Sequence, residues 1–414
     1  VSHTLKKLIA GSALSSLCLS LVHVPAHAAT LNTLVNFNGT NGANPLGTLI
    51  RDASGTLYGT GSDSGPTNLG TVFSLTSNGT LTTLVSFGGA NGVYPFGGLL
   101  ADGSGTFYGT TRYGGASNQG TVFRLTSSGV FTTLASFNGG NGGVPIPGLV
   151  ADAAGTLYGT TLEGGANNLG TVFSLTSTGT LTTLVSFGGT NGASPFGGLI
   201  ADASGALYGT TSAGGSNDKG TVFKLTGSGT FSTLASFDGA NGQTPVASLI
   251  MDESGTMYGT TLLGGAGNKG TVFSLSGETI TTLASFNGSN GANPFASLIA
   301  DAAGTLYGTT TAGGGSNKGT VFSLSGGTIT TLATFDGSNG ANSYAGLLAD
   351  PSGTLYGSTQ NGGTGNRGTV FSLTETGFAV PVPEPASWAL LLSGIGFICF
   401  APRVALRRRC ALPA

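Results

Sequence analysis

The side chains most often used for catalysis and metal binding are confined to the two ends of this chain. Its three histidines are His3, His23 and His27, and its three cysteines are Cys18, Cys399 and Cys410. The long middle segment therefore has no imidazole and no thiol. Serine and cysteine nucleophiles activated by histidine, thiolate or imidazole metal sites and disulfides are excluded there. Carboxylate chemistry remains open, because glycoside hydrolysis needs only two acidic side chains at a set separation. Seven acids break the repeating pattern of the chain: Asp63, Glu163, Asp218, Asp238, Glu253, Glu278 and Asp336. No two of them stand in a hydrolase-like motif. The expectation is a protein that is not an enzyme and needs no cofactor, with a two-carboxylate carbohydrate hydrolase or lyase as the alternative.

The remaining polar residues recur at a fixed interval. The tyrosine of a Tyr-Gly-Thr or Tyr-Gly-Ser triplet stands at Tyr58, Tyr108, Tyr158, Tyr208, Tyr258, Tyr307 and Tyr356, a period of 49 or 50 residues. A period in this range marks a propeller, solenoid or array. Six residues before each tyrosine stands an aspartate: Asp52, Asp102, Asp152, Asp202, Asp252, Asp301 and Asp350. Such a ring has two readings. Calcium takes carboxylate oxygens from flexible loops, whereas Asp at the head of a tight turn bonds its own backbone two residues on; the second is favoured, and no metal is expected.

Two further rings are amides. One comprises Asn41, Asn91, Asn141, Asn191, Asn241, Asn290 and Asn339, each followed by glycine; the other comprises Asn68, Asn118, Asn168, Asp218, Asn268, Asn317 and Asn366. These types suit left-handed turn conformations and can also donate and accept hydrogen bonds to a ligand. One departure from symmetry is directional. The residue before each Gly-Thr-Val-Phe is Leu69, Gln119 and Leu169 in the first three units, then Lys219, Lys269, Lys318 and Arg367 in the last four. Four cations on consecutive units form an arc able to hold an anionic polymer, or else they offset nearby carboxylates such as Asp218. The loop tyrosines Tyr94, Tyr113 and Tyr344 offer rings for stacking or for loop packing.

The elements that must carry these rings are short β-strands. In the second unit the strands read as 97–101, 106–111, 120–125 and 130–137, rich in Val, Phe, Leu, Thr and Tyr. Tight turns at 102–105 and 126–129 make two hairpins, while the Gly-Gly and Asn-Gly connections are longer. Four antiparallel strands per unit predict an all-β, seven-bladed propeller, with a parallel β-solenoid as the structural rival. The ends support a ring. The segment 31–37 matches a fourth strand and 368–373 matches a third, so the first strand can complete the last blade. Antiparallel alternation places the Gly-Gly and Asn-Gly loops on one face and the tight turns on the other.

Composition agrees with a folded repeat domain. Charged residues are only 7% of the chain and glycines number 76, but the regular apolar and aromatic positions supply a core that a disordered chain lacks. Residues 29–378 carry eight cations and fifteen carboxylates, a net charge of −7, which speaks against nucleic-acid binding.

Both ends read as sorting signals. Residues 1–28 combine Lys6 and Lys7, an apolar stretch and Ala26-His27-Ala28, the pattern of a secretory signal peptide. Residues 29–377 are the propeller and 378–385 a Pro-rich linker. A short apolar helix follows at 386–402, and a basic tail at 403–414. Sixteen apolar residues span about 24 Å as helix, short of a ~30 Å hydrocarbon core. Arg403, Arg407, Arg408 and Arg409 should stay cytoplasmic and stop transfer. The order Pro383-Glu384-Pro385, apolar helix, arginine cluster resembles the PEP-CTERM sorting tail of exported proteins in Gram-negative bacteria. That resemblance implies recognition by an exosortase-type processing enzyme, passage through the secretion machinery, at least transient contact with the inner membrane, and a place in the cell envelope or extracellular matrix. The repeats themselves resemble the choice-of-anchor GloVer tandem-repeat proteins through Asp-x-x-Gly-x-x-Tyr-Gly-Thr and Gly-Gly-x-x-x-x-Gly-Thr-Val-Phe. That family implies surface display and brings no catalytic residues. The functional expectation is a non-catalytic binding or structural module, with extracellular polysaccharide as the candidate partner on the face carrying Lys219, Lys269, Lys318, Arg367 and the Asn-Gly ring.

Overall fold

A phenylalanine follows each fourth strand, and a second one lies in the middle of each third strand; together they explain why seven copies form a ring. The computed structural model describes residues 29–380. The segments expected to be a signal peptide (1–28) and an apolar helix (386–402), with Pro383, Glu384, Pro385 and the arginines Arg403, Arg407, Arg408 and Arg409, lie outside the described residues. Within them the chain forms seven four-stranded antiparallel sheets in strict sequential order, with one exception. In blade 7 the strands Leu348–Ala349, Leu355–Thr359 and Thr369–Thr374 are completed by the first strand of the domain, Thr30–Asn36. Thr30 stands opposite Thr374 and Asn36 opposite Thr369, so the ring closes as the offset of the two ends predicts.

Blade 2 shows the common plan, with strands Leu100–Ala101, Thr106–Thr111, Thr121–Thr126 and Phe131–Ser136. The first strand is shorter than the 97–101 read from sequence. Residues 97–99 run along the ring axis, where they meet the neighbouring blade through packing and side-chain hydrogen bonds and form no second ladder. A methyl group on Gly197 would sit 2.4 Å from the carbonyl oxygen of Ala247 in the next blade, so only glycine allows this approach. The threonine of each Tyr-Gly-Thr ties the blades together here. Six of them donate from Oγ1 to the axial backbone of the next blade at 3.0–3.4 Å, for example Thr110 to Pro147 and Thr309 to Ala345. Ser358 makes the closing contact, to the carbonyl of Pro45.

The core is not one cluster but seven, each lying between two blades. Between blades 3 and 4 it comprises Val172, Phe187, Leu199, Leu207, Phe223 and Leu225. Phe187 follows the fourth strand of blade 3, and its ring meets Phe223 of blade 4 edge-to-face at 5.4 Å. The same pair recurs at all seven junctions with centroids 5.0–5.5 Å apart, including Phe37–Phe73, which joins blade 7 to blade 1. Edge-to-face geometry suits the ring quadrupoles. Space for the third-strand phenylalanine is made by the glycine of Tyr-Gly-Thr, its cross-strand partner. Gly159 stands opposite Phe173, and a methyl group on it would lie 2.7 Å from Phe173 Cζ.

One blade departs from the plan and compensates. Six blades hold a buried Thr–Thr hydroxyl pair at 2.8–2.9 Å between the ends of the second and third strands. Blade 1 has Gly61 in place of the first threonine, and Ser64 supplies the missing hydroxyl, 2.8 Å from Thr71 Oγ1.

Phe187→Ala should cost about 3–5 kcal/mol, the range for a buried phenylalanine, and Gly159→Ala about 1–3 kcal/mol through overpacking. Both should lower the melting temperature and the denaturant midpoint, Phe187→Ala the more. Deleting residues 30–36 strips the third strand of blade 7 of its partner and should lower the melting temperature further still. A melting curve for the deletion that overlays the wild type would show that ring closure contributes no stability.

Candidate ligand-binding face

Every aspartate of the Asp ring is engaged locally. Its Oδ1 accepts backbone N–H groups of its own turn, as Asp202 does from Ser204 and Ala206. Its Oδ2 accepts the hydroxyl of the tyrosine six residues later, at 2.9–3.4 Å in all seven blades. The phrase Asp-x-x-Gly-x-x-Tyr is therefore one hydrogen-bonded unit that clamps the first hairpin. Among the described residues no three His, Cys, Asp or Glu side chains gather to hold a metal ion. The hydroxyl of Ser204, and after it the backbone N–H of Ala206 and the Tyr208 hydroxyl, hold Asp202 at about 2 against a smaller opposing effect of burial. In Tyr58, Tyr158 and Tyr258 burial first, then the bonded carboxylate, push the phenol above its usual value.

The Asn-Gly ring is likewise a set of turns. Oδ1 of Asn41, Asn91, Asn141, Asn191, Asn241, Asn290 and Asn339 accepts the backbone N–H three residues earlier, at 2.7–3.0 Å. The second amide ring is left-handed, with φ of 49–56°. Six of its members, among them Asp218, accept a glycine N–H four residues earlier at 2.8–2.9 Å. Asn41 and Asn339 also donate from Nδ2 to the carbonyls of Asn36 and Thr334.

Of the acids that break the repeat, Asp63 lies in blade 1, Glu163 in blade 3, Asp218 in blade 4 with Asp238 just after its last strand, Glu253 and Glu278 in two turns of blade 5, and Asp336 just after the last strand of blade 6. Asp63 accepts from Asn44 Nδ2 at 2.8 Å, and Asp238 and Asp336 accept backbone N–H groups of their own turns. The groove between blades 2 and 3, with a cavity of about 310 Å³, is flanked by two ring carboxylates, Asp102 and Asp152. The Ser104 hydroxyl chiefly holds Asp102 below the usual carboxylate range, and the Thr156 N–H does so for Asp152. A two-carboxylate hydrolase needs one acid held protonated, the opposite shift.

Three features were not read from the sequence. The residue before the axial segment, Asn44, Tyr94, Val144, Ser194, Thr244, Asn293 or Asn342, is left-handed in every unit, with φ of 48–57°. For Val144 and Thr244 this conformation is strained by about 1–3 kcal/mol. Two hydrogen bonds across blades hold it: Val144 N–H donates to Gln119 O at 2.8 Å, and Leu162 N–H donates to Val144 O at 3.1 Å. The second feature is an axial plug. Phe96, Phe196 and Phe295 of alternate blades contact each other at 5.2–6.2 Å, Tyr344 packs on Phe295 at 4.7 Å, and Leu46, Ile146 and Val246 fill between them. The cavity left on the axis is about 80 Å³, about a quarter of the 310 Å³ groove between blades 2 and 3. The recurring x-Pro-apolar phrase at 44–46, 94–96 and 144–146 was the available signal. The third is the exit segment after blade 7, treated below.

With the axis plugged, a ligand can reach the groove between blades 2 and 3 and the open loop surface. Lys269, Lys318 and Arg367 are exposed there, while Lys219 is half-buried and donates from Nζ to Gln243 Oε1 at 2.9 Å. On the side of the same face away from the arc, Arg112 lies 5.1 Å over the ring of Tyr113, which meets Tyr94 edge-to-face at 6.4 Å. The two faces differ in charge. The long-loop half holds Asp63, Glu163, Asp218, Asp238 and Asp336 against Arg112, Lys219, Lys269, Lys318 and Arg367, a net of zero. The hairpin half holds the seven ring aspartates with Glu253, Glu278 and Glu375, ten carboxylates against Arg51, Arg124 and Lys224, a net of −7.

Comparison with known proteins follows the same lines. The model of the Gloeobacter/Verrucomicrobia repeat matches residues 20–173, 131–322 and 198–382, and that of the PEP-CTERM protein-sorting motif matches residues 381–409. No curated protein matches the chain. Among solved structures, virginiamycin B lyase from Staphylococcus aureus is similar with a TM-score of 0.55 at 15% identity, over 84% of this chain and 99% of the lyase. The extracellular domain of a hybrid two-component system from B. thetaiotaomicron is similar with a TM-score of 0.57 at 11% identity, over 83% of this chain and 39% of that one. At these identities the likeness is one of fold.

The Asp–Tyr units set a pH window. A carboxylate with a depressed folded value contributes stability above its ordinary value near 4, and this is lost as pH falls toward about 2, the folded value of Asp202. A phenol with a raised folded value contributes below about 10 and loses its share as pH climbs further. The melting temperature should thus be flat between these limits and fall on both sides. Asp202→Asn should flatten the acid limb; an acid limb identical to wild type would remove this unit from the pH response.

Proposed function

This chain belongs to the Gloeobacter/Verrucomicrobia repeat family and carries a PEP-CTERM sorting motif, and from that premise we propose that its propeller is a non-catalytic binding module displayed at the cell surface, its long-loop face holding an anionic extracellular polysaccharide. The observation that carries this reading is the arc of Lys219, Lys269, Lys318 and Arg367 on consecutive blades, which offsets the acids of the long-loop face and brings it to neutrality while the hairpin face stays at −7. The hairpin face repels a polyanion and the loop face does not. A linear polymer crossing the loop face meets several cations in turn, with Arg112, Tyr113 and Tyr94 as a polar and aromatic edge on the far side. The amide rings shape the loops and leave selectivity to the side chains that differ between blades. Absence of imidazole and thiol from the described residues, and the depressed carboxylates beside the groove between blades 2 and 3, favour binding over hydrolysis.

Each exposed charge contact contributes little, roughly 0–1 kcal/mol, so retention should come from several blades engaging one polymer and should weaken with salt. The test is retention on the acidic matrix polysaccharide of the producing bacterium at low salt. A variant with Lys219, Lys269, Lys318 and Arg367 changed to Gln should elute much earlier than wild type, while Arg124→Gln and Lys224→Gln on the hairpin half should not matter. Equal retention of the arc variant removes the arc from the function, and no retention of the wild type removes the ligand.

The sorting motif also yields a mass prediction. Processing by an exosortase-type enzyme near Pro383–Ser387 gives a surface form without Trp388, the only tryptophan of the chain. Intact-mass analysis and loss of tryptophan fluorescence read it directly; a surface form that still contains Trp388 identifies a permanent anchor.

A further inference from the structure

The exit segment after blade 7 does not leave the ring freely. Thr376 donates from Oγ1 to the carbonyl of Gly353 at 3.3 Å, in the Asp-x-x-Gly turn of blade 7. Phe378 lies on Tyr307 of blade 6 with ring centroids 5.0 Å apart. Ala379 then pairs with the corresponding turn of blade 6: Ala302 N–H donates to Ala379 O at 2.9 Å, and Ala379 N–H donates to Asp301 Oδ2 at 3.3 Å. Asp301 is buried to 8% exposure as a result, unlike its six counterparts. The segment is thus strapped across two blades on the hairpin face. The first strand of the domain begins on the same side, where Thr30 stands opposite Thr374 and donates from Oγ1 to Glu375 Oε2 at 3.3 Å. The sorting motif starts at residue 381, one residue beyond the strap.

We infer that, for as long as the apolar segment of the sorting tail stays attached, the strap Glu375–Val380 orients the propeller at the membrane, with the acidic hairpin face turned to the bilayer and the long-loop face turned outward. This rests on the envelope-sorting reading of residues 381–409 and adds to it a direction. The charge partition fits that role. A face of net −7 is repelled by anionic headgroups within about a Debye length, ~8 Å at physiological salt, so the tether brings it near the lipid without letting it adhere. The neutral, cation-bearing face is left free for ligand. A tail strapped to the loop face would instead have buried the arc against the bilayer.

The described residues contain no native cysteine, which makes the inference directly testable. In a full chain with Cys18, Cys399 and Cys410 replaced by serine, a donor fluorophore is placed at one site per variant: Ser128→Cys or Ser228→Cys at hairpin tips, Ala90→Cys or Ala240→Cys at loop tips, all exposed. The chain is bound to phosphatidylcholine vesicles carrying a headgroup acceptor. Donors at the hairpin tips should lose more intensity than donors at the loop tips. Adding phosphatidylglycerol should reduce the hairpin loss, because the acidic face is held off. Phe378→Ala, which frees the strap, should shrink the difference between faces without altering the fold seen by circular dichroism. Equal loss at both faces, or greater loss at the loop tips, overturns the orientation while leaving envelope sorting intact. A chain that fails to float with the vesicles overturns both.

Discussion

One contact recurs at every junction of this molecule and the ring depends on it: the edge-to-face pair between a phenylalanine ending one blade and a phenylalanine inside the next. A single four-stranded blade of this size cannot bury its apolar faces alone. Each Phe–Phe pair, with the leucines and valines around it, makes a core that belongs to two blades at once. The contact is available only because Tyr-Gly-Thr puts a glycine opposite the third-strand ring. It also explains why the N-terminal strand matters, since Phe37 follows that strand and completes the seventh junction against Phe73.

Around this interlock the polar residues form a division of labour by face. On the hairpin side, aspartate and tyrosine clamp each turn and leave a dense negative surface. On the loop side, amides hold the long connections through their own backbone, and strained left-handed residues bridge neighbouring blades above a plugged axis. These uses absorb nearly all of the recurring side chains. What differs between blades is what the proposed binding role would draw on for selectivity, chiefly the cations of blades 4 to 7 and Arg112 with its two tyrosines.

The exit strap joins these two sides into one argument. By running across blades 6 and 7 on the hairpin face, it couples a membrane-sorting signal to the face least suited to meet a polyanion, and leaves the other face free. A propeller has two faces, and in the proposed orientation a few residues after the last blade decide which one is presented.

The sequence by itself determined the period, the four strands per unit, the closure of the ring by residues 31–37 and the absence of imidazole and thiol chemistry. These were legible because each depends on local residue types repeated seven times, or on which types occur at all. Turn duty for Asp52 and its counterparts was legible for the same reason, since an Asx turn is a local hydrogen bond. Tertiary structure alone decided what lies between blades. The Phe–Phe partners are 36 residues apart, the tyrosine hydroxyl finds its aspartate only when the hairpin closes, and Phe96 meets Phe196 and Phe295 only because seven first strands converge on one axis. The path of Phe378 onto Tyr307 was equally hidden, because it depends on where the ring places blade 6 relative to a segment 71 residues later in the chain. Contacts set by ring geometry have no local signature, and the plug and the strap are both of that kind.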